Sequence, residues 1–286
     1  MRLLVFGYGY AADALRRRLQ PLGWDIAGVA RSEATQAAMR AVEVEPLSAE
    51  AAAAQLGDFD ALLIAAPPGE TGCPGFQALA NPLRQGEARP AWIGYLSTTG
   101  VYGDLGGGWA FEDSPLRPLS LQAERRVAAE RAWLDLAEEA LLDVMVFRLP
   151  GIYGPEGEAP FAQGRSPLAK LRAGAARVID KPGQVFSRIH VDDLAGGLHA
   201  SLRRPRRGGI YNLCDDKPCA TAETFDYAAE LLGFPPPPRL AFEEAQLSPE
   251  ARRFYAENKR VANARAKAER RWRPVYPTYR QGFLTL

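Results

Sequence analysis

Small residues near the start of the sequence have the spacing most suited to ligand chemistry, because Gly7, Gly9 and Ala12 follow the apolar run Leu3–Phe6. The pattern is G-x-G-x-x-[GA]. Its first glycine permits a sharp turn, its second lets a pyrophosphate approach the backbone, and its third small residue lets a helix pack closely on a strand. The pattern predicts a dinucleotide site made of Gly7, Tyr8, Gly9, Tyr10, Ala11 and Ala12. The alternative is an ordinary structural turn between a strand and a helix.

A second candidate contact follows the predicted second strand, Trp24–Ala30, where Arg31 and Ser32 stand. An acidic residue near this point accepts a hydrogen bond from the ribose hydroxyl of NAD, whereas a basic one suits the 2′-phosphate of NADP. Arg31 supplies a planar fork of donors for that phosphate, and Ser32 a hydroxyl beside it. We therefore expect NADP, with NAD as the other possibility because Glu33 is close by. Alternatively, these residues begin a solvated helix with Ser32 as its N-cap.

Two further predicted strands end in residues suited to a ligand crevice. The apolar run 60–66 predicts a buried strand, and small residues at its carboxyl end leave room for a ligand: Ala65, Ala66 and Pro67. The run Trp92–Thr98 predicts another strand, which ends in the hydroxyls of Thr98 and Thr99. Hydroxyls at the carboxyl end of a central strand lie where a substrate is expected. The same hydroxyls also suit the capping of an irregular turn.

The elements that must position these residues alternate between strands and helices. After the first two strands, the sequence predicts strands over Asp143–Arg148 and Ile210–Leu213, and an amphipathic helix over Thr221–Leu232. Such alternation is typical of an α/β fold, here a doubly wound parallel sheet of the Rossmann type with helices on both faces. We expect residues 1–151 and 183–214 to form the dinucleotide-binding domain, and residues 152–182 and 215–286 a small α+β substrate lobe.

Composition excludes several classes of function. The chain has 286 residues and a net charge of +1, which gives no general attraction to nucleic acid or to an anionic membrane. No run approaches the roughly 20 apolar residues that span a bilayer. Cys73, Cys214 and Cys219 are an odd set, so we expect no disulfide framework, no metal site and a cytoplasmic location.

Two segments rich in basic residues have simple interpretations. The cluster 203–207 surrounds Pro205 and precedes two glycines, which is typical of a solvated loop. The run 252–273 mixes arginine and lysine with alanine, Glu257 and Glu269, and so predicts a solvated helical surface. Neither segment has the extended charge and interleaved aromatics of a nucleic-acid site.

Four blocks in a fixed order carry a resemblance to a known family: Gly7-Tyr-Gly-Tyr-Ala-Ala, Leu96-Ser-Thr-Thr-Gly-Val-Tyr-Gly, Arg148-Leu-Pro-Gly-Ile-Tyr-Gly-Pro and Arg188-Ile-His-Val-Asp-Asp-Leu-Ala. The chain resembles the extended short-chain dehydrogenases/reductases, the family of nucleotide-sugar epimerases and dehydratases. The resemblance implies that Thr98 holds the substrate oxygen. It also implies a Tyr-x-x-x-Lys pair that ends four residues before Glu130, and these positions hold Gln122 and Arg126.

This departure removes the usual proton donor. In the family mechanism a hydride moves between nicotinamide and substrate while the tyrosine, with its pKa lowered by the lysine, transfers the proton. Glutamine has no useful acid, and Arg126 remains cationic, so we expect it to contact the cofactor instead. Tyr153 is the candidate substitute donor, although an aromatic ring packed under a Gly-Pro turn is the better interpretation. The cofactor site also includes Leu149 and Pro150, and Arg188 is a candidate contact for a substrate phosphate or carboxylate.

The same replacements resemble an atypical, YeeZ-like subgroup that lacks the catalytic tyrosine. Three functions from different classes follow, of which an interaction module without a ligand is disfavoured because it would leave the glycine pattern without a role. The first is an NADP-dependent oxidoreductase or epimerase-like enzyme acting on a small polar or sugar-derived molecule, in which Thr98, Arg126 and Tyr153 are the catalytic candidates. The second is a regulator that binds the dinucleotide and has lost its chemistry. A homodimer is possible in either case.

Overall fold

The computed structural model describes residues 1–155, 161, 166–248, 252 and 254–286. Its strands, numbered in chain order, are β1 Arg2–Phe6, β2 Asp25–Val29, β3 Val44–Leu47, β4 Ala61–Ile64, β5 Trp92–Thr98, β6 Trp109–Ala110, β7 Val144–Leu149, β8 Gly151–Tyr153, β9 Val178–Asp180, β10 Arg188–His190, β11 Gly209–Asn212, β12 Arg239–Ala241 and β13 Arg260–Val261. Its longer helices are α1 Tyr10–Leu19, α2 Glu33–Ala41, α3 Ala49–Ala54, α4 Pro74–Gln85, α5 Leu121–Ala140, α6 Pro167–Arg172, α7 Val191–Leu202 and α8 Thr221–Leu232, followed by Ala264–Arg270 and Tyr279–Phe283.

Seven of these strands form one parallel sheet in the order β11-β7-β5-β4-β1-β2-β3. The chain leaves β1 towards one edge through β2 and β3, and returns to the other side of β1 through β4. The order therefore reverses between β1 and β4. Ligands of open α/β sheets bind at such a reversal, beyond the carboxyl ends of the strands. The predicted doubly wound fold is confirmed.

The sheet is buried on both faces, which explains its continuous apolar strands. Successive residues of β1 alternate between two cores, because side chains along a strand point to opposite faces. Leu3 and Val5 pack with helices α1 and α7 on one face. Leu4 and Phe6 pack with α3, α4 and α5 on the other. Within the described residues, every helix is too short or too polar to traverse a lipid bilayer.

A third core lies among elements that are not part of the main sheet. It combines Tyr153 of β8, Leu168 and Leu171 of α6, Phe225 of α8 and Phe283 near the C terminus. Ala266 and Trp272 instead pack into the core that contains Leu3 and Val5. The division into residues 1–151 with 183–214 and residues 152–182 with 215–286 stays a prediction.

Local sequence patterns predict some elements well and others poorly. Strand β5 and helix α8 have the predicted bounds. The basic run 252–273 does not form one helical surface, because its described part contains the strand Arg260–Val261 before the helix Ala264–Arg270. Strand β13 pairs in parallel with β6. This pairing between distant segments overrides the local preference of the sequence for a helix.

A buried ion pair fixes helix α5 against the sheet. Arg148 of β7 and Glu130 of α5 are only 3% and 1% exposed. The guanidinium donates from Nη2 to Glu130 Oε2 at 2.7 Å and from Nε to both carboxylate oxygens at 3.2 Å. Its Nη1 donates to the hydroxyl of Tyr102 at 3.0 Å and to the carbonyl of Glu112 at 2.9 Å. One side chain thus connects a central strand, a helix and the chain that follows β5.

We expect Glu130→Gln to lower the free energy of unfolding by about 3–5 kcal/mol, because it leaves a buried guanidinium without its counter-charge. The matched control is Glu139→Gln on the same helix. Glu139 pairs with Arg84 at 2.9 Å, but both side chains are about half exposed. Such a surface pair contributes about 1 kcal/mol or less. Urea unfolding of both variants measures the difference, and equal losses would contradict the proposed importance of the buried pair.

Candidate functional site

The loop after β1 has a backbone that requires glycine at its first position. Gly7 has φ +100°, in the left-handed region that side chains disfavour. A Cβ atom on Gly7 would lie 2.3 Å from the amide nitrogen of Ala66, so the end of β4 touches this turn. The Gly7 amide donates to the carbonyl of Val29 at 3.0 Å. The turn therefore joins the carboxyl ends of three neighbouring strands.

Gly9 has a different reason to be small. It is the N-cap of α1 in an extended conformation, and no side chain of the described residues caps the helix. A Cβ atom on Gly9 would meet nothing within 4 Å. The space above Gly9 is thus open, and the first turn of a helix carries N–H groups without intrahelical acceptors. This cradle fits an anion such as a pyrophosphate.

Tyr8 and Tyr10 use their rings to support the loop. Both are less than a tenth exposed. The Tyr8 hydroxyl donates to Asp13 Oδ1 at 3.2 Å, and the Tyr10 hydroxyl donates to the carbonyl of Pro155 at 3.0 Å. The side chains of Tyr8 and Tyr10 are thus used within the protein. Their main-chain atoms, with Ala11 and the buried Ala12, are left for the predicted dinucleotide contacts.

The end of β2 combines a cap with an exposed cation. The hydroxyl of Ser32 accepts from the amide of Thr35 at 3.2 Å, so Ser32 is the N-cap of α2. Arg31 is exposed and makes no hydrogen bond or ion pair with any residue that the structure describes. Its guanidinium is therefore available to a ligand phosphate.

A cleft of about 570 Å³ opens beside the carboxyl ends of β4, β5 and β7. It brings together predicted site residues from four places in the sequence: Pro67, Thr98, Thr99, Arg126, Leu149 and Pro150. Gln122, which stands where the family has its tyrosine, also lines it. The departure from the family pattern is therefore located in the cleft itself.

Thr98 and Arg126 face this cleft with partners already in place. The Thr98 hydroxyl accepts from the amide of Gly100 at 3.1 Å, which leaves its own O–H to donate. Arg126 donates from Nη1 to the carbonyl of Leu96, and its guanidinium lies 5.9 Å from the ring centroid of Tyr95. One nitrogen of Arg126 is thus committed to the strand end, and the rest of the guanidinium lies at the cleft surface.

Tyr153 and Arg188 are not among the residues that line the cleft. Tyr153 is 5% exposed, packs edge-on against Phe283 at 5.5 Å, and its hydroxyl has no hydrogen-bond partner among the described residues. Burial raises the pKa of Tyr153 well above its usual value, which disfavours loss of its proton. Arg188 donates to Cys219 Sγ at 2.8 Å. This geometry agrees with the packing interpretation of Tyr153.

The cleft also contains residues that the sequence did not single out. These residues are Phe186, Phe254, Glu257 and Lys259. Lys259 is 8% exposed, donates to the carbonyl of Gly103 at 2.8 Å and pairs with Glu257. No motif marks these positions, since the basic run around Lys259 has the composition of an ordinary surface. Among the described residues, no group of His, Cys, Asp or Glu is arranged to hold a metal ion.

Comparison with known proteins finds one family and several individual proteins that this chain resembles. The model of the NAD dependent epimerase/dehydratase family matches residues 83–214. A conserved protein of unknown function from Silicibacter pomeroyi is 46% identical, with a TM-score of 0.91 over 100% of this chain and 97% of that chain. Over residues 83–214 the chain is therefore similar to the NAD dependent epimerase/dehydratase family. The protein YeeZ of Escherichia coli (strain K12) is 27% identical over 250 residues, which are 82% of this chain and 85% of YeeZ.

A solved structure of much lower sequence identity shares the fold. The structure of dTDP-glucose 4,6-dehydratase from Bacillus anthracis in complex with NAD has a TM-score of 0.79 at 17% identity, covering 100% of this chain and 94% of that chain. The segment that matches the epimerase/dehydratase model includes Thr98, Gln122 and Arg126, together with the ion pair of Glu130 and Arg148. The glycine loop precedes it.

One carboxyl group near Arg188 has an unusual environment. Asp215 is 2% exposed, and its Oδ2 has no hydrogen-bond partner among the described residues. Its Oδ1 accepts from the amide of Lys217 at 3.2 Å. Burial raises the pKa of Asp215 to about 7, although Arg188 acts in the opposite direction. The folded protein therefore holds this proton across a pH range in which the unfolded chain has lost it.

We expect this carboxyl to make the fold less stable as pH rises. Between the unfolded pKa of about 4 and the folded pKa of about 7, the Asp215 contribution falls by about 1 kcal/mol per pH unit. Asp215→Asn removes the titration, so the free energy of unfolding of the variant should improve relative to the native protein from pH 5 to pH 7. Asp135→Asn, on the exposed face of α5, is the control. A constant difference across this range would contradict the assignment.

Proposed function

We propose that this protein binds a nicotinamide dinucleotide with its pyrophosphate over Gly9 and uses it to oxidise or reduce a small molecule in the cleft. One observation carries the proposal. At the reversal of strand order, a side chain on Gly7 would collide with Ala66, whereas the space next to Gly9 is empty of protein atoms. The complex of the Bacillus anthracis dehydratase with NAD supports it by analogy. The bound cofactor would supply hydride chemistry, and the chain supplies binding and orientation.

We assign the ribose end of the cofactor to the end of β2. The exposed guanidinium of Arg31 suits a 2′-phosphate, and Ser32 stands next to it. NADP is therefore the proposed cofactor, with NAD as the other candidate. From this end the cofactor extends past Ala65, Ala66 and Pro67 towards Leu149 and Pro150.

We assign the chemistry to the cleft. Thr98 is the proposed donor to the reacting oxygen, since its hydroxyl proton is directed by the Gly100 amide that occupies its lone pair. Thr99 lies beside it and is a proposed substrate contact. Arg126 is the proposed positive charge near the cofactor, held in place by the carbonyl of Leu96. We do not assign catalysis to Tyr153 or substrate binding to Arg188, because both lie outside the cleft lining.

A dinucleotide-binding regulator without turnover is the second candidate. The observation that favours it is Gln122, which lines the cleft at the position of the family tyrosine and provides no acid. Cofactor titration followed by nicotinamide absorbance over carbonyl and alcohol substrates separates the two. Binding with turnover supports the enzyme, and binding without turnover on any substrate supports the regulator.

We propose a cytoplasmic location, which is consistent with the three free, buried cysteines. We also keep the proposal of a homodimer. Size-exclusion chromatography with light scattering tests the homodimer directly.

Gly9→Ala should weaken dinucleotide binding at least about tenfold and leave the melting temperature unchanged. The added methyl meets no protein atom within 4 Å, but it occupies the space proposed for the pyrophosphate. Gly57→Ala is the control, since its methyl makes only an ordinary contact at 3.6 Å with Glu87, away from the loop. Isothermal titration with NADP and NAD measures the effect. Native affinity in Gly9→Ala would contradict the proposed site.

Arg31→Ala should weaken NADP binding by about tenfold or more while NAD binding stays the same, because only NADP carries the phosphate that the guanidinium meets. The control is Arg40→Ala, which removes an exposed arginine from the far end of α2. Equal effects on both cofactors, or none, would remove Arg31 from the site.

A further inference from the structure

One wall of the cleft is an aromatic platform. Phe254 and Phe186 stack with their ring centroids 4.9 Å apart and their planes at 15°. Tyr255 packs edge-on against Phe186 at 5.4 Å and supports it from the side. Phe254 remains 60% exposed although it lines the cleft. A large aromatic surface left open in a concave site favours a planar apolar ligand.

The polar group next to this platform is the ammonium of Lys259. An ammonium has three N–H donors and no acceptor. One N–H donates to the carbonyl of Gly103 at 2.8 Å, and another is directed at Glu257. Among the described residues these are its only two hydrogen-bond partners, and Lys259 also lines the cleft. The site thus offers one fixed hydrogen-bond donor beside an aromatic surface.

The position of Lys259 is fixed by its neighbour, Asn258. The amide of Asn258 donates to Asp104 Oδ1 at 2.8 Å, and its carbonyl accepts from the amides of Leu105 and Gly107. On the other side, Asn258 Oδ1 accepts from the amide of Val185 at 3.1 Å. The segment is therefore tied to the loop that follows Thr98 and to the strand segment that carries Phe186. A donor held in this way loses little entropy when it binds a ligand.

The charge of the cleft argues against a nucleotide sugar. Among its described lining residues the charged side chains are Arg126, Glu257 and Lys259. Lys259 is neutralised by Glu257, which leaves Arg126 as the one cation of this lining without a carboxylate partner among the described residues. A nucleoside diphosphate brings at least two negative charges and is ordinarily held by several free cationic donors. A neutral planar molecule with one oxygen acceptor matches the lining better.

We infer that the substrate is an aromatic carbonyl compound whose ring stacks on Phe254 and whose oxygen accepts a hydrogen bond from Lys259. This rests on the proposed function, and it replaces the sugar-derived substrate that the sequence favours. During reduction, the reduced nicotinamide gives a hydride to the carbonyl carbon, the π electron pair moves to the oxygen, and Lys259 gives that oxygen a proton. The products are the alcohol, the oxidised nicotinamide and a neutral lysine, which regains its proton from water. Lys259 thereby supplies the acid that Gln122 does not.

Direct binding tests the inference with two ketones of the same skeleton, acetophenone and cyclohexyl methyl ketone, and with UDP-glucose. Each is titrated with and without saturating NADP⁺, using ligand-observed NMR. We expect acetophenone to bind about tenfold more tightly than its saturated analogue, since only a planar ring stacks. Phe254→Leu should remove that preference. Phe234→Leu, which changes an exposed ring outside the cleft, should keep it.

The lysine is tested separately. Lys259→Met should weaken both ketones by about tenfold or more without changing NADP⁺ affinity, because the lost donor serves the ketone oxygen and not the ring. With NADPH and acetophenone, the same variant should lose at least about a hundredfold in kcat, and Lys259→Arg should restore binding more than turnover. Phe254→Leu keeps the aromatic part of the inference testable if Lys259→Met fails to fold.

The outcomes separate this inference from the proposed function. If the native protein binds neither NADP⁺ nor NAD⁺, the proposed function is overturned, whether or not the ketones bind. Tighter binding of UDP-glucose than of acetophenone, no binding of either ketone, or an unchanged ring preference in Phe254→Leu would overturn the aromatic substrate while leaving the cofactor site intact.

Discussion

The buried pair of Arg148 and Glu130 is the interaction on which the geometry of the cleft depends. Helix α5 carries Gln122 and Arg126, and its place over the sheet is set where Glu130 meets Arg148 at 2.7 Å. A charge that leaves water needs good geometry and further hydrogen bonds to offset its desolvation. Arg148 obtains them from Tyr102 and Glu112. The pair therefore holds several elements to one arrangement, including the chain that follows Thr98.

The same strand ends bring the cofactor loop and the cleft together. Gly7 contacts the end of β4 closely enough that a side chain would collide with Ala66. Thr98 lies at the end of β5, the neighbour of β4 in the sheet. Parallel strands place their carboxyl ends on one edge, so residues separated by some 90 positions in sequence become part of one continuous surface. This is why the order of strands, more than any single motif, determines where the candidate site lies.

The sequence predicted the parts of this arrangement that have local signatures. The sequence predicts β5 and α8 because buried residues recur at the regular spacing of a strand or a helix. Gly7 and Thr98 are singled out because each stands at the end of an apolar run. Phe254, Glu257 and Lys259 have no such signature. They reach the cleft because Asn258 is hydrogen-bonded to Asp104 and Val185, and contacts between segments about 70 and 150 residues apart leave no periodicity to detect. Substrate contact by Arg188 stays a prediction, since the sequence alone does not show that its guanidinium donates to Cys219.

Replacement of the tyrosine changes what the rest of the cleft must provide. In the family pattern the acid and its neighbouring cation belong to one helix, so their separation is set by helix geometry. Here α5 carries a cation at Arg126, while Lys259, the other cation of the cleft lining, belongs to a distant segment of the chain. The acid that we propose therefore comes from outside α5, and its position relative to Arg126 depends on the contacts that hold this distant segment. Leu119 and Phe186 also line the cleft, and their apolar side chains favour a flat apolar molecule over a hydroxylated one.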